Sequence, residues 1–214
     1  MVSIIHVFYS VLDNPLATDK FQNYVRLLPD DEQSKISRYR RWQDAHLSLF
    51  GKLLLMRGMS ALGFKTSDIA HLKRNDFNKP YFDFDLLFNI SHSKNVVVCA
   101  FSRDTSVGID IEHINDINFA GIDSPWCLDE KEIIQNSSNP SLDFFRYWTR
   151  KEALIKADGR GMHLSLTELN TIPNNVVITD REWRLHELTL IESYMCHIAC
   201  PVNSTLEHPK YISF

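Results

Sequence analysis

"LLFNISHSKNVVVCAFSRDTSVGIDIEHI", residues 86–114, carries the pattern that decides the fold. Its β-branched runs are interrupted by the turn formers "SHSKN" (91–95) and "SRDTS" (102–106), which predicts successive strands. Upstream, Ser3–Val11 reads as a strand and "TDKFQNYVRLL" (18–28) as a helix halted by Pro29. Residues 30–62 read as one long helical stretch with acids at its start. Downstream, 128–138 and 141–158 are helical in period, and 176–202 read as two or three strands. Each side of a break near residues 103–106 therefore combines helix with several strands. The predicted fold is α+β, built as two similar halves side by side, residues 1–104 and 105–214.

The bulk properties narrow the function. At 214 residues and 44% hydrophobic composition the chain can bury a substantial core. A formal net charge of −4 argues against a dedicated nucleic-acid binder. No apolar run reaches the roughly 18 residues of a membrane span. The start, "MVSIIHVFYSVLDNP", has neither a basic n-region nor a small-residue cleavage site. Cys99, Cys127, Cys196 and Cys200 do not form a disulfide framework, and a cytoplasmic location is expected. Cys196, His197 and Cys200 resemble part of a zinc site without a second ligand pair; buried strand cysteines are the alternative.

Several stretches carry residues able to do chemistry. In "VGIDIEHI" the strand period puts Asp110 and Glu112 on one face, Ile109 and Ile111 on the other. Two carboxylates on one face repel unless a cation lies between them, and Mg²⁺ uses one or two carboxylates with water and phosphate oxygens. Solvated acids on an exposed edge strand are the alternative. In "FRYWTRKEALIKADGRG" (145–161) the helical period places Trp148, Glu152 and Lys156 on one stripe. Ser91, His92 and Ser93 supply hydroxyl and imidazole groups where a strand breaks, either for phosphate or simply for a capped turn. In "NKP" (78–80) Pro80 stiffens the loop that holds Lys79. Lys35, Arg38, Arg40, Arg41, Lys52 and Arg57 form a basic run, a solvated face or a binding one. Together these groups suit a polyphosphate ligand screened by Mg²⁺.

The series "NKP", "FNISHS", "GIDIE" and "WTRKEALIK", in this order and spacing, resembles the 4′-phosphopantetheinyl transferases of the Sfp type. The likeness runs from about residue 28 to 161 and includes "RYRRWQDAHLSLFGKLLL" upstream; the last fifty residues carry little of it. It implies a holo-[acyl-carrier-protein] synthase type of enzyme, with the site in the cleft between two α+β halves. The 4′-phosphopantetheine arm of coenzyme A would pass to a serine of an acyl or peptidyl carrier protein, releasing adenosine 3′,5′-bisphosphate. The resemblance implies that Asp110, Glu112 and Glu152 hold Mg²⁺, with Mn²⁺ as a substitute. Glu152 or a metal-bound water would take the serine proton, and Lys156 would neutralise the leaving group, with Trp148 packing the helix against the sheet. Lys35, Arg74, Lys79, Pro80, Asn89, Ser91 and His92 match coenzyme A positions, and Arg38, Arg40 and Arg41 suit carrier docking. A monomer is implied. Two positions depart from the pattern: Asn78 replaces a glycine and Leu47 a basic residue. The rivals are a non-catalytic coenzyme A or carrier-protein binder and a Mg²⁺-dependent pyrophosphatase.

Overall fold

A computed structural model describes residues 2–75, 79–117, 126–159 and 165–214. Asn78, Arg160 and Gly161 lie outside the described residues. The chain runs β1 (Ser3–Val11), α1 (Thr18–Val25), α2 (Asp30–Ser37), α3 (Trp42–Ala61), a 3₁₀ turn (Thr66–His71), β2 (Lys73–Arg74), β3 (Pro80–Tyr81), β4 (Leu87–Ser93) and β5 (Val96–Ser102). It continues through β6 (Gly108–His113), α4 (Leu128–Asn136), α5 (Pro140–Asp158), β7 (Asn175–Ile178), β8 (Arg181–Glu187), β9 (Tyr194–Pro201), β10 (Ser204–Leu206) and β11 (Lys210–Tyr211). The fold is α+β.

The one long helix expected over residues 30–62 is two. α2 ends at Ser37, and Arg41 is extended before α3 begins. Residues 38–42, "RYRRW", are all exposed, so no turn here has an apolar face to hold against the core.

The two halves share a plan. In the first, β1 pairs antiparallel with β5, and β5 with β4. In the second, β6 pairs antiparallel with β9, and β9 with β8. Each sheet thus sets a first strand against a last one, and a long helix, α3 or α5, lies between them in sequence. The last strands cross back: β10 and β11 run parallel to β1, so a division at residue 104/105 does not account for the chain's end.

The sheets pack inner face to inner face. Ile5, Val7, Val96, Val98 and Ala100 meet Ile109, Ile111, Cys196, Ile198 and Cys200 in a shared core. Alternate residues Val97, Cys99 and Phe101 turn outward to α3, so β5 is covered on both faces and reads as a continuous apolar run. Cys196 and Cys200 face the shared core, whereas His197 meets Thr149 of α5, its Nδ1 2.8 Å from Thr149 Oγ1. The three therefore do not converge on one ion.

β4 and β6 adjoin without backbone pairing; side chains take its place. Asn89 Oδ1 accepts from Ile109 N (2.8 Å), Ser91 Oγ from Ile111 N (3.5 Å) and Ser93 Oγ from His113 N (3.1 Å). These donors face away from β9, in a strand largely out of water. Each would cost about 1–3 kcal/mol if buried without an acceptor.

Candidate active site

Local sequence fixes where α5 starts and stops. Asn139 caps its first turn, accepting from Leu142 N (3.1 Å), with Pro140 at the first position. Gly159, at φ 86°, takes the left-handed conformation that closes the helix. The helix lies directly on β6. A Cβ at Gly108 would sit 2.0 Å from Ala153 O and 2.3 Å from Ala157 N, so glycine permits the approach.

This approach brings the helical stripe over the acidic face of β6. Ile90, Ser91, His92, Asp110, Glu112, Trp148, Glu152 and Lys156 line one cavity of about 310 Å³, its walls drawn from both halves. Trp148 meets Trp126 and Phe144, its ring edge-on to Trp126 at 6.2 Å, and borders the cavity beside the β4 and β6 residues. Tyr147, Ala153 and Leu154 take the buried side of α5, leaving the Trp148 stripe for the cavity.

The polar groups are interlocked. Lys156 Nζ donates to Asp110 Oδ1 (2.6 Å) and to Ser91 Oγ (3.2 Å), and Ser91 Oγ itself donates to Asp110 Oδ1 (2.8 Å). Ser93 Oγ donates to Glu112 Oε2 (2.7 Å). Asp110 Oδ2 is buried and, among the described residues, has no hydrogen-bond partner. Asp110 is only 3% exposed, which disposes of the solvated-edge alternative.

Burial pushes the Asp110 carboxyl above the usual carboxylate range, against the pull of Lys156. Burial raises Glu112 too, helped by the Asp110 charge, and raises Glu152 in spite of Lys156. The cavity wall around His92, with Lys156 adding to it, holds its imidazole below the usual value. Three desolvated carboxylates and an orphaned oxygen are the surroundings a cation relieves. Among the described residues no three such side chains close into a ready metal cage. The donor set suits a divalent ion that takes one or two carboxylates and completes its shell with phosphate oxygens.

The other sequence-predicted residues stand farther out. Lys79 Nζ donates to Lys156 O (2.8 Å), putting an ammonium at the carbonyl end of α5. Pro80 lines a smaller hollow with Lys79, Phe82 and Leu86. The Asn89 carboxamide oxygen is taken by β6. Arg74 and Lys52 flank Glu32, Lys52 Nζ lying 3.0 Å from Glu32 Oε2, and burial holds the Lys52 ammonium below its usual value, with Lys35 adding a little to that. Part of the basic run is thus internal rather than a solvated face. Leu47, at the position of a basic residue in the family pattern, belongs to the core around α3.

Sequence reasoning gave no role to Glu32, Glu130 and Lys151, and read Ser93 for phosphate or a capped turn rather than as the partner of Glu112. Glu32 looked like one of three helix-opening acids. Lys151 and Glu130 form an ion pair at 2.7 Å with both side chains wholly buried. No local pattern distinguishes them from surface charges.

The chain is similar to known proteins along most of its length. The model of the 4′-phosphopantetheinyl transferase superfamily matches residues 106–199, and that of the 4′-phosphopantetheinyl transferase N-terminal region matches 14–104. The chain is 34% identical over 175 residues to the 4′-phosphopantetheinyl transferase gsp of Aneurinibacillus migulanus, covering 78% of this chain and 73% of that protein. It is 29% identical to 4′-phosphopantetheinyl transferase Sfp of Bacillus subtilis over 72% of this chain and 70% of that one. With 4′-phosphopantetheinyl transferase HetI of Nostoc it shares 26% over 91% and 86%.

Proposed function

Because the chain belongs to the 4′-phosphopantetheinyl transferase superfamily, we propose that it moves the 4′-phosphopantetheine arm of coenzyme A onto a serine hydroxyl of an acyl or peptidyl carrier protein. The observation that supports this most is the single cavity in which Glu152 and Lys156 of α5 face Asp110 and Glu112 of β6. A new bond forms between the serine oxygen and the β-phosphorus of coenzyme A. The bond from that phosphorus to its bridging oxygen breaks, and adenosine 3′,5′-bisphosphate leaves.

Glu152 takes the serine proton. Burial lifts its carboxyl above the ordinary range, which makes it a better base than an exposed glutamate. Lys156, held beside Asp110, offers its ammonium to the charge that grows on the leaving bridging oxygen. Lys79 adds a second cation from the end of α5. Asp110 and Glu112, with Glu152 beside them, would hold Mg²⁺ or Mn²⁺, which supplies electrostatic stabilisation of the pyrophosphate when bound. Lys35, Arg74, Pro80, Asn89, Ser91 and His92 complete the coenzyme A side of the reading, and Arg38, Arg40 and Arg41 the carrier side.

The narrower assignment, a holo-[acyl-carrier-protein] synthase acting as a monomer in the cytoplasm, belongs to the same proposal. Among the described residues no helix is long and apolar enough to cross a membrane. The test is intact-mass spectrometry of an apo carrier protein incubated with this protein, coenzyme A and Mg²⁺. A gain of one phosphopantetheine, abolished by EDTA, is expected. No gain across acyl and peptidyl carriers, with coenzyme A still bound, would leave a binding protein instead.

A further inference from the structure

Ser93 has no role in the chemistry above, yet its hydroxyl makes two directed contacts at once. It accepts from His113 N at 3.1 Å and donates to Glu112 Oε2 at 2.7 Å. The first contact fixes the height of β6 against β4; the second fixes the rotation of a carboxylate in the cavity lining. Ser91, two residues earlier on the same face, repeats the arrangement, accepting from Ile111 N and donating to Asp110. Asn89 continues the ladder at Ile109 with the backbone contact alone.

The turn that follows is anchored independently. Lys94, at φ 48°, reaches His113 Nε2 (3.1 Å), and Asn95 Oδ1 accepts from Tyr194 OH (2.5 Å). Ser93 is therefore flanked in the chain by residues that also bond to the second half. A hydroxyl there, unlike a methyl group, transmits the position of that segment to Glu112.

The geometry points to Ser93 as a positioning residue for Glu112: the first half of the molecule sets, through alternate side chains of β4, the direction in which the carboxylates of β6 meet a divalent cation. This rests on the transferase reading for the cation at these carboxylates and for its phosphate partner. Partners that orient a metal ligand affect metal affinity by 10-fold to 100-fold when removed.

The experiment titrates Mn²⁺ into the full-length protein in the presence of coenzyme A, following free Mn²⁺ by electron paramagnetic resonance. Ser93→Ala is expected to weaken Mn²⁺ binding by about 10-fold. It should raise the Mg²⁺ concentration for half-maximal transfer in proportion, with the KM for coenzyme A at saturating Mg²⁺ unchanged. Ser93→Thr, which keeps the hydroxyl, should restore both. If the alanine variant does not fold, Ser93→Val, isosteric with threonine but without the hydroxyl, reads the same quantity. Wild-type Mn²⁺ affinity in Ser93→Ala or Ser93→Val overturns the assignment, as does a threonine variant as weak as the alanine one. Ser93-dependent Mn²⁺ binding without modification of any carrier would sink the transferase reading and leave the role of Ser93 standing.

Discussion

Two lysines five residues apart on α5 each meet a buried carboxylate, with opposite outcomes. Lys151 is wholly buried against Glu130, and its remaining donors go to Leu166 O (2.7 Å) and Leu169 O. Glu130 is equally complete: Thr171 N (2.8 Å), Thr171 Oγ1 (2.6 Å) and Cys127 N (3.2 Å) donate to it. Lys156, on the other side of the helix, pairs with Asp110 but keeps 27% of its side chain exposed, and Asp110 keeps an oxygen with no partner among the described residues. One pair is closed and holds α4, α5 and the loop after it together. The other is open, and its unused capacity faces the cavity. A buried charge pair with every lone pair and proton used can only hold structure; one left incomplete can bind.

The sharpest way to break this comparison is at Glu152. Glu152→Gln should lower transfer by about 10²–10⁴-fold while retaining most coenzyme A affinity, read by carrier mass gain and by calorimetry. Near-normal turnover would remove Glu152 from its assigned role. On the closed side, Lys151→Met should cost about 3–5 kcal/mol of stability in denaturant unfolding, because Glu130 is left buried without its cation. Glu130→Gln added to it should recover part of that loss; no recovery would mean that packing, not the ion pair, was removed.

Lys156→Ala should raise the transfer barrier by about 2–4 kcal/mol, with a smaller stability loss than Lys151→Met because water reaches the open side of the Asp110 pair. A large stability loss and an unchanged rate would make the open pair structural after all. The effect that vanishes at neutral pH concerns His197, buried beside the same helix with its imidazole held down to about 3 by burial. The unfolded chain binds a proton there below the ordinary histidine value near 6.5 that the folded chain refuses. Stability should therefore be full above about pH 6.5 and fall toward pH 3, by about 1.4 kcal/mol per unit from this group. His197→Gln should flatten that slope in denaturant titrations across the range.

Much of this was legible in the residues themselves. β1, β4, β5, β6, α1 and α5 follow from apolar period and punctuation, because a strand or helix with one buried side writes its period into the chain. The facing of Asp110 and Glu112, and the Trp148, Glu152 and Lys156 stripe, follow from the same geometry. The break between α2 and α3 was not legible: "RYRRW" is compatible with helix, and only the absence of a core beneath it ends the helix there.

What the sequence determined alone is therefore local: the elements, their faces, and which charged groups share each face. Tertiary structure decided which charges are spent and which are free. Glu32 with Lys52, and Glu130 with Lys151, read like surface residues and are buried pairs 20 or more positions apart, 3.0 Å and 2.7 Å across. The pairing of β10 and β11 with β1, and the side-chain ladder from β4 to β6, are equally invisible to any local pattern. The physical reason is that periodicity reports only whether a side chain meets water or core. Which partner desolvates and satisfies a charge depends on residues brought together by the packing of the two sheets.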